Sequence, residues 1–285
     1  TQAQDGPKGV IRRIIDGCLI LLEREKYALQ DITAVGVAAP GPIDFKRGIT
    51  KKLPNLPGWK DIPLLDIIKD KFKLPVFLEN DANAAALAES LYGTGRGVDN
   101  LVYITISTGI GAGVIANGSL LRGAQGNAAE IGHMTINFDG PRCGCGNKGC
   151  WEAYASGTAL ARFAREGIAS GRKTLITNLS EGQVVKAEHV FSAAKLGDEF
   201  ARELILKEGF YLGVGLANVV NAYNPSLIAL GGGVTGEWDV FYDQMMKVMR
   251  ERAFEANVDK LKVVKASLGA EAGMIGAAAV ALNSI

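Results

Sequence analysis

Apolar residues recur at helical spacing from Pro7 to about Lys26, where Ile11, Ile14, Ile15, Cys18, Leu19 and Leu22 form one stripe. The run Ile32 to Ala39 is apolar on both faces save for Thr33 and stops at Pro40, Gly41 and Pro42, which predicts a buried strand. Leu64, Leu65, Ile67, Ile68 and Phe72 make a second helical stripe, and Val76 to Glu79 reads as a short buried strand. Asn80 and Asp81 follow at once, and Ala84 to Glu89 is built of strong helix formers. The three glycines and mixed charge of Tyr92 to Asn100 predict a hinge between domains. Leu101 to Ser107 and Gly113 to Ala116 then read as a hairpin, with Asn117 and Gly118 turning into the next strand. Further on come a helix from about Glu199 to Asn221, a buried strand Leu227 to Leu230 broken by Gly231, Gly232 and Gly233, and a helix carrying Phe241, Met245 and Met249. An alanine-rich helix, Ala272 to Leu282, ends an alternating α/β pattern.

Composition narrows the classes. With 31 basic and 30 acidic residues the net charge is +1, so no field favours nucleic acid or an anionic membrane. The longest apolar runs fall far short of the ~20 residues that span a bilayer. A cytoplasmic protein with neither nucleic-acid nor membrane partners is expected, and 285 residues can fill one large core or two moderate ones.

The densest local chemistry is His133 followed by Cys143, Cys145 and Cys150 in CGCGNKGC. Three thiols and an imidazole are the inventory of a closed tetrahedral zinc site, and the glycines let the chain double back. Cysteines are more often core residues or disulfide partners, and Cys18 on its apolar stripe is expected to pack that way. The other three sit among Gly, Asn and Lys, and a bridge from Cys143 to Cys145 would be strained. Four side-chain ligands leave no open position, so the ion would be structural. His189 has no such neighbours and reads as an ordinary helix residue.

Two glycine-rich turns could hold phosphate. ISTGIGAGV places Thr108, Gly109, Gly111 and Gly113 at a hairpin turn, and LGGGV places Gly231, Gly232 and Gly233 ahead of a helix N-terminus. Glycine turns also join strands for structural reasons alone, and neither is a Walker loop or a GxGxxG fingerprint. Asp81, where a strand gives way to a helix, is either a helix cap or a general base. Asn80, Asp81, Glu130, His133 and Glu152 together offer donors and acceptors suited to a ring of hydroxyls, and two histidines leave little scope for a Ser-His-Asp triad. A carboxylate that takes a proton from an alcohol, with glycine turns for phosphates, describes phosphoryl transfer to a sugar.

The segments ENDANAAALAE, ISTGIGAGV, EIGHMTI, CGCGNKGCWEAYASGTAL and LIALGGGV resemble the ROK family of bacterial sugar kinases and sugar-responsive repressors, over essentially the whole chain. Within it, Asn55 to Trp59 (NLPGW) followed by Lys60 to Leu64 looks most like the ATP-dependent glucokinases. The resemblance implies an actin-like ATPase (ribonuclease H-like) fold of two lobes about a cleft. Residues 1–94 and 272–285 would form the small lobe, and 95–271 the large lobe with the zinc site. It implies Asp81 as general base toward the 6-hydroxyl of glucose, with ATP and Mg2+. Asn80, Glu130, His133 and Glu152 would bind the other hydroxyls, and His133 would use its second ring nitrogen on structural Zn2+. Gly41 and Asn55 join as sugar contacts, Thr108, Gly109, Gly111, Gly113, Gly231, Gly232 and Gly233 as nucleotide contacts, and a homo-oligomer, dimer or tetramer, is implied. The alternatives are another hexose (N-acetylmannosamine, fructose or allose) or a sugar-responsive transcriptional regulator.

Two departures from the family pattern carry expectations. No Asp-x-Gly-Gly-Thr phosphate turn precedes Ile32 to Ala39, so the first N-terminal hairpin is expected to be absent from this chain, leaving that strand with an open edge. Ala129 stands where the family has Gly before the Glu, which is tolerable if its φ is negative.

Overall fold

The computed structural model describes residues 2–53 and 56–285. The chain runs α1 (Gly6–Arg24), β1 (Val35–Ala39), β2 (Ile43–Asp44), β3 (Ile49–Thr50), α2 (Leu64–Phe72), β4 (Val76–Asn80) and α3 (Asp81–Tyr92). It continues through β5 (Leu101–Ile106), β6 (Ile110–Ala116), β7 (Ser119–Leu120), α4 (Gly157–Ala169), α5 (Ile176–Leu179), α6 (Ala187–Lys195) and α7 (Glu199–Tyr223). Last come β8 (Leu227–Gly231), α8 (Tyr242–Arg252), α9 (Glu255–Val258), β9 (Lys262–Lys265) and α10 (Ala272–Leu282). No described helix is long and apolar enough to cross a membrane.

β1 and β4 pair in parallel with Ala39 opposite Asn80, so the chain leaves both strands at the same end of this small sheet. Among the described residues no strand pairs with the other edge of β1. Its core joins Val10 and Ile11 of α1 to Leu64, Ile68 and Phe72 of α2. The stripe of α1 is buried only at that end: Ile14 is 45% exposed, and Cys18 is exposed rather than packed, correcting the expectation for it.

The second sheet has the order β7-β6-β5-β8-β9, with β5, β6 and β7 antiparallel and β8 and β9 parallel to β5. Alternate residues of β5 serve two cores. Val102, Ile104 and Ile106 face the helices α4 to α8, while Leu101 and Tyr103 face Ala85, Ala86 and Ala272. Burial on both faces explains an apolar run without alternation.

α3 and α10 lie between the sheets, and small residues let them in. A Cβ on Gly113 of β6 would stand 2.5 Å from Ala86 Cβ, one on Gly276 of α10 2.2 Å from the Ala84 carbonyl, and one on Gly36 of β1 1.8 Å from the Ala277 carbonyl. Ala82, Ala84, Ala85, Ala86 and Ala88 are all buried, as expected of a helix covered on every side.

Glu208 of α7 is 1% exposed, and neither carboxyl oxygen has a hydrogen-bond partner among the described residues. Burial drives its carboxyl well above the ordinary glutamate range. The folded state therefore keeps a proton that the unfolded chain releases above a pH of about 4.3, and stability falls as pH rises from there toward the raised folded value. Glu208→Leu is expected to stabilise the fold by about 1–3 kcal/mol. The gain should grow with pH across that window, as read by urea unfolding at several pH values.

Candidate functional site

The paired ends of β1 and β4 deliver Gly41 and Asn80-Asp81 to one place, the carboxyl end of parallel strands where α/β sheets bind ligands. Asn80 caps α3, its Oδ1 accepting from the N–H groups of Ala82 at 2.9 Å and Asn83 at 3.2 Å. The capping role considered for Asp81 thus belongs to its neighbour. Asp81 is the first helical residue, and its Oδ1 accepts from Ala82 N–H at 2.9 Å, while Oδ2 makes no hydrogen bond among the described residues. The carboxylate is open to solvent yet flanked by protein: burial raises its pKa, and the Ala82 N–H pulls it back. With its Oδ1 occupied, Asn80 has only its Nδ2 amide group to offer, and that atom lies 3.3 Å from where a Gly41 Cβ would stand. The same absent Cβ would be 3.9 Å from Glu130 Oε1, so Gly41, Asn80 and Glu130 share one space.

Glu130 sits at the centre of an inverse γ-turn (φ −71°, ψ 50°) closed by Ile131 N–H to Ala129 O at 2.7 Å. Burial raises its carboxyl, His133 lowers it, and the negative charges of Asp81 and Glu152 raise it again, so these groups lie near enough to act on one another's charge. The turn strains the preceding residue: Ala129 has φ +65° and is buried, against the negative φ its methyl needed. Ala129→Gly is expected to stabilise the protein by about 1 kcal/mol, the left-handed penalty less the unfolded-state entropy of glycine. Thermal unfolding checks this, with zinc content unchanged.

His133, Cys143, Cys145 and Cys150 place their ligand atoms within 4.8 Å of one another, and no disulfide joins the cysteines. Antiparallel bridges of Thr135 with Cys150 and of Arg142 with Lys148 fold the segment back on itself. Gly149 makes this possible, having φ +70° and a position where a Cβ would stand 1.6 Å from Asn137 O. Cys143 Sγ is 3.6 Å from His133 Nδ1, and Cys145 Sγ is 3.6 Å from Cys150 Sγ. Zinc bonds of ~2.0–2.3 Å at tetrahedral angles require edges of about 3.6 Å for N to S and 3.8 Å for S to S. The cluster therefore fits a zinc ion. Burial pushes the Cys143 thiol up to about 12, so it needs a cation to ionise. With Nδ1 on the thiol side, Nε2 is the His133 nitrogen left for the cleft.

Glu152 follows Cys150 on a short 3-10 turn, Trp151–Ala153, anchored by Trp151, which is 1% exposed and donates from Nε1 to Tyr211 O at 2.8 Å. Glu152 Oε2 accepts from Ile110 N–H at 2.9 Å, and Oε1 lies 3.6 Å from Cys143 Sγ. It passes over Gly109, where a Cβ would be 2.2 Å from Oε2.

The two glycine turns, read separately in the sequence, line one cavity of about 580 Å³ between Ser107-Thr108 and Gly233. Thr158, Arg165, Lys186 and Glu237 are among the polar side chains of its wall. No local sequence motif joins these four, which come from α4, the start of α6 and the segment after β8. Other glycines of the turns have packing roles on view: Gly111 and Gly113 lie inside β6 against α3, Gly231 meets Tyr103, and Gly232, at φ +91°, meets the backbone of Ile106. A 3-10 segment, Gly233–Val240, stands where a helix was expected to begin. His189 lies in α6, its Nδ1 accepting from Lys186 N–H, an ordinary helix-start role. Asn55 lies outside the described residues.

The ROK family model matches residues 2–284. The glucokinase of Thermotoga maritima is 36% identical over 281 residues, covering 98% of this chain and 87% of that one. The xylose repressor of Bacillus subtilis is 35% identical, covering 97% of this chain and 67% of that one. A solved ROK glucokinase from Streptomyces griseus, in complex with glucose and AMPPNP, superposes with a TM-score of 0.80 at 36% identity, covering 95% of this chain and 88% of that one. The chain belongs to the ROK family, and its α/β architecture is that of the actin-like ATPases.

Proposed function

We propose that this chain, an ATP-dependent sugar kinase of the ROK family, transfers the γ-phosphoryl group of ATP to the 6-hydroxyl of glucose. One observation carries the reading: Asp81, its Oδ2 uncommitted and its carboxyl raised by burial, stands beside Asn80, Gly41 and Glu130 at the end of β4. Oδ2 accepts the proton of the attacking hydroxyl, and the raised pKa makes it a better acceptor than an ordinary aspartate. Asn80 Nδ2 donates to a hydroxyl oxygen, Glu130 accepts from neighbouring hydroxyls, and His133 and Glu152 close the ring. ATP, with Mg2+ neutralising its phosphates, supplies the transferred group, and the cavity between Thr108 and Gly233 is the place for it. Zinc on His133, Cys143, Cys145 and Cys150 holds the imidazole in place. The working form is a cytoplasmic homo-oligomer.

The test is a coupled assay on the full-length protein with glucose, N-acetylmannosamine, fructose and allose. Glucose should give the highest kcat/KM. A different preferred hexose would move the specificity while leaving the chemistry, and sugar binding without turnover would favour the regulator, the class of the xylose repressor relative.

A further inference from the structure

The chain passes between the two sheets twice, outward through residues 93–100 from α3 to β5 and back through residues 266–271 from β9 to α10. One side chain holds both passages. Glu89, near the end of α3, is 0% exposed, and its Oε2 accepts from Thr94 N–H at 2.9 Å, Thr94 Oγ1 at 3.1 Å and Ser267 Oγ at 3.3 Å. Its Oε1 accepts from Leu268 N–H at 2.8 Å. The donors belong to the two passages, Ser267 and Leu268 lying 178 and 179 residues along the chain from Glu89. Gly93 and Gly95 let the first passage wrap around this group. A Cβ on Gly93 would stand 2.1 Å from Glu89 Oε2, one on Gly95 3.0 Å from Glu89 O, and the N–H groups of both donate to Glu89 O. No cation pairs with Glu89 among the described residues, so its attachments are these neutral donors, two in each passage.

The position matters because α3 begins at Asp81 and ends at this clamp. Asp81 follows β4 of the small sheet on a helix whose Ala82 also packs against Gly111 and Gly113 of β6, whereas Thr108 and Gly233 of the nucleotide cavity lie just beyond strands β5 and β8 of the other sheet. The distance between hydroxyl and phosphoryl group then depends on how α3 is seated between the sheets and on how the two crossings are held against it. We propose that Glu89 is a positioning residue that ties both crossings to α3 and so sets the alignment of Asp81 with the phosphoryl donor. The proposal rests on the kinase reading above. Glu89 touches neither sugar nor nucleotide, and it acts through the crossings.

Glu89→Gln keeps size and shape while turning half of the acceptor into a donor facing N–H and O–H groups. Hydrogen exchange in this variant should quicken together in peptides covering 93–95 and 267–268, although the two are far apart in sequence. Its kcat should fall about tenfold to a hundredfold, as misalignment near 1 Å does, with the Kd for glucose and zinc content at wild-type values. Gly93→Ala, which pushes a methyl onto the carboxylate, should reproduce the pattern. Faster exchange confined to one crossing, or wild-type kcat in Glu89→Gln, overturns the proposal. If Glu89→Gln does not fold, Ser267→Ala and Thr94→Val each remove one bond, and each must quicken exchange at the opposite crossing. Failure of the wild type to phosphorylate any hexose would count against the kinase reading, and the exchange measurements would still judge the clamp.

Discussion

Asp81→Asn should lower kcat by about a hundredfold to ten-thousandfold, the usual contribution of a positioned general base, while the Kd for glucose changes far less. The structure isolates this substitution from stability. Asn80, not Asp81, caps α3, and an asparagine at position 81 can still accept from Ala82 N–H through its side-chain oxygen. The fold and the sugar contacts proposed for Asn80, Glu130 and His133 should therefore be retained, with only the capacity to take a proton removed. The pH profile supplies a second check. The base works deprotonated, and because burial raises the Asp81 carboxyl, the acid limb of kcat/KM should lie above the ordinary aspartate value of about 3.9. That limb should vanish from the residual activity of Asp81→Asn. Near-normal turnover in the variant would make Asp81 a binding group only.

What could be read in advance followed the range of the interaction that decides each feature. α2 runs from Leu64 to Phe72 as its apolar stripe predicts and α10 from Ala272 to Leu282 as its alanine-rich composition predicts, because local spacing and helix propensity suffice for both. The zinc cluster was legible for the same reason, its ligands lying within eighteen residues. β9 was missed: a four-residue strand with lysines at both ends carries little apolar signal, and its pairing to β8 joins positions some 35 residues apart, such as Leu227 and Lys262. The burial of Cys18 was misread because a stripe says which residues share a face, not whether anything covers that face. The φ of Ala129 follows from the turn that aims Glu130, and a sequence pattern does not contain it. The glycines of the hairpin resisted reading for a related reason. Gly109 and Gly113 both forgo a Cβ, one for Glu152 and the other for α3, partners that lie far along the chain.

Removing zinc should cost the sugar site more than the nucleotide cavity. The segment from Cys143 to Gly149 has little core of its own: Gly144, Cys145, Gly146, Asn147 and Lys148 are exposed, and a few backbone bonds such as Cys143 N–H to Asn147 O at 2.8 Å close the loop. Structural zinc contributes about 10 kcal/mol or more in small domains, so here the ion would be the main force holding the knuckle. Cys150 is 0% exposed and bonded in sequence to Trp151, and Glu152 reaches back to both Cys143 and Ile110 N–H. Loss of the metal thus frees His133 and Glu152 together. Metal analysis should find about one zinc per chain. Cys150→Ser should lose it, and hydrogen exchange should rise across residues 134–152. The Kd for glucose should weaken at least tenfold, in line with losses seen when metal-site supports are removed. Binding of a non-hydrolysable ATP analogue should change little, since the cavity proposed for it is lined by Thr158, Arg165 and Lys186 on other elements. Glu152→Gln should weaken glucose binding with zinc retained, separating the carboxylate's contribution from the ion's. Exposed Cys18→Ser should match wild type in every measurement. Absence of stoichiometric zinc, or wild-type glucose affinity in Cys150→Ser, would show that the four side chains converge without a metal to hold.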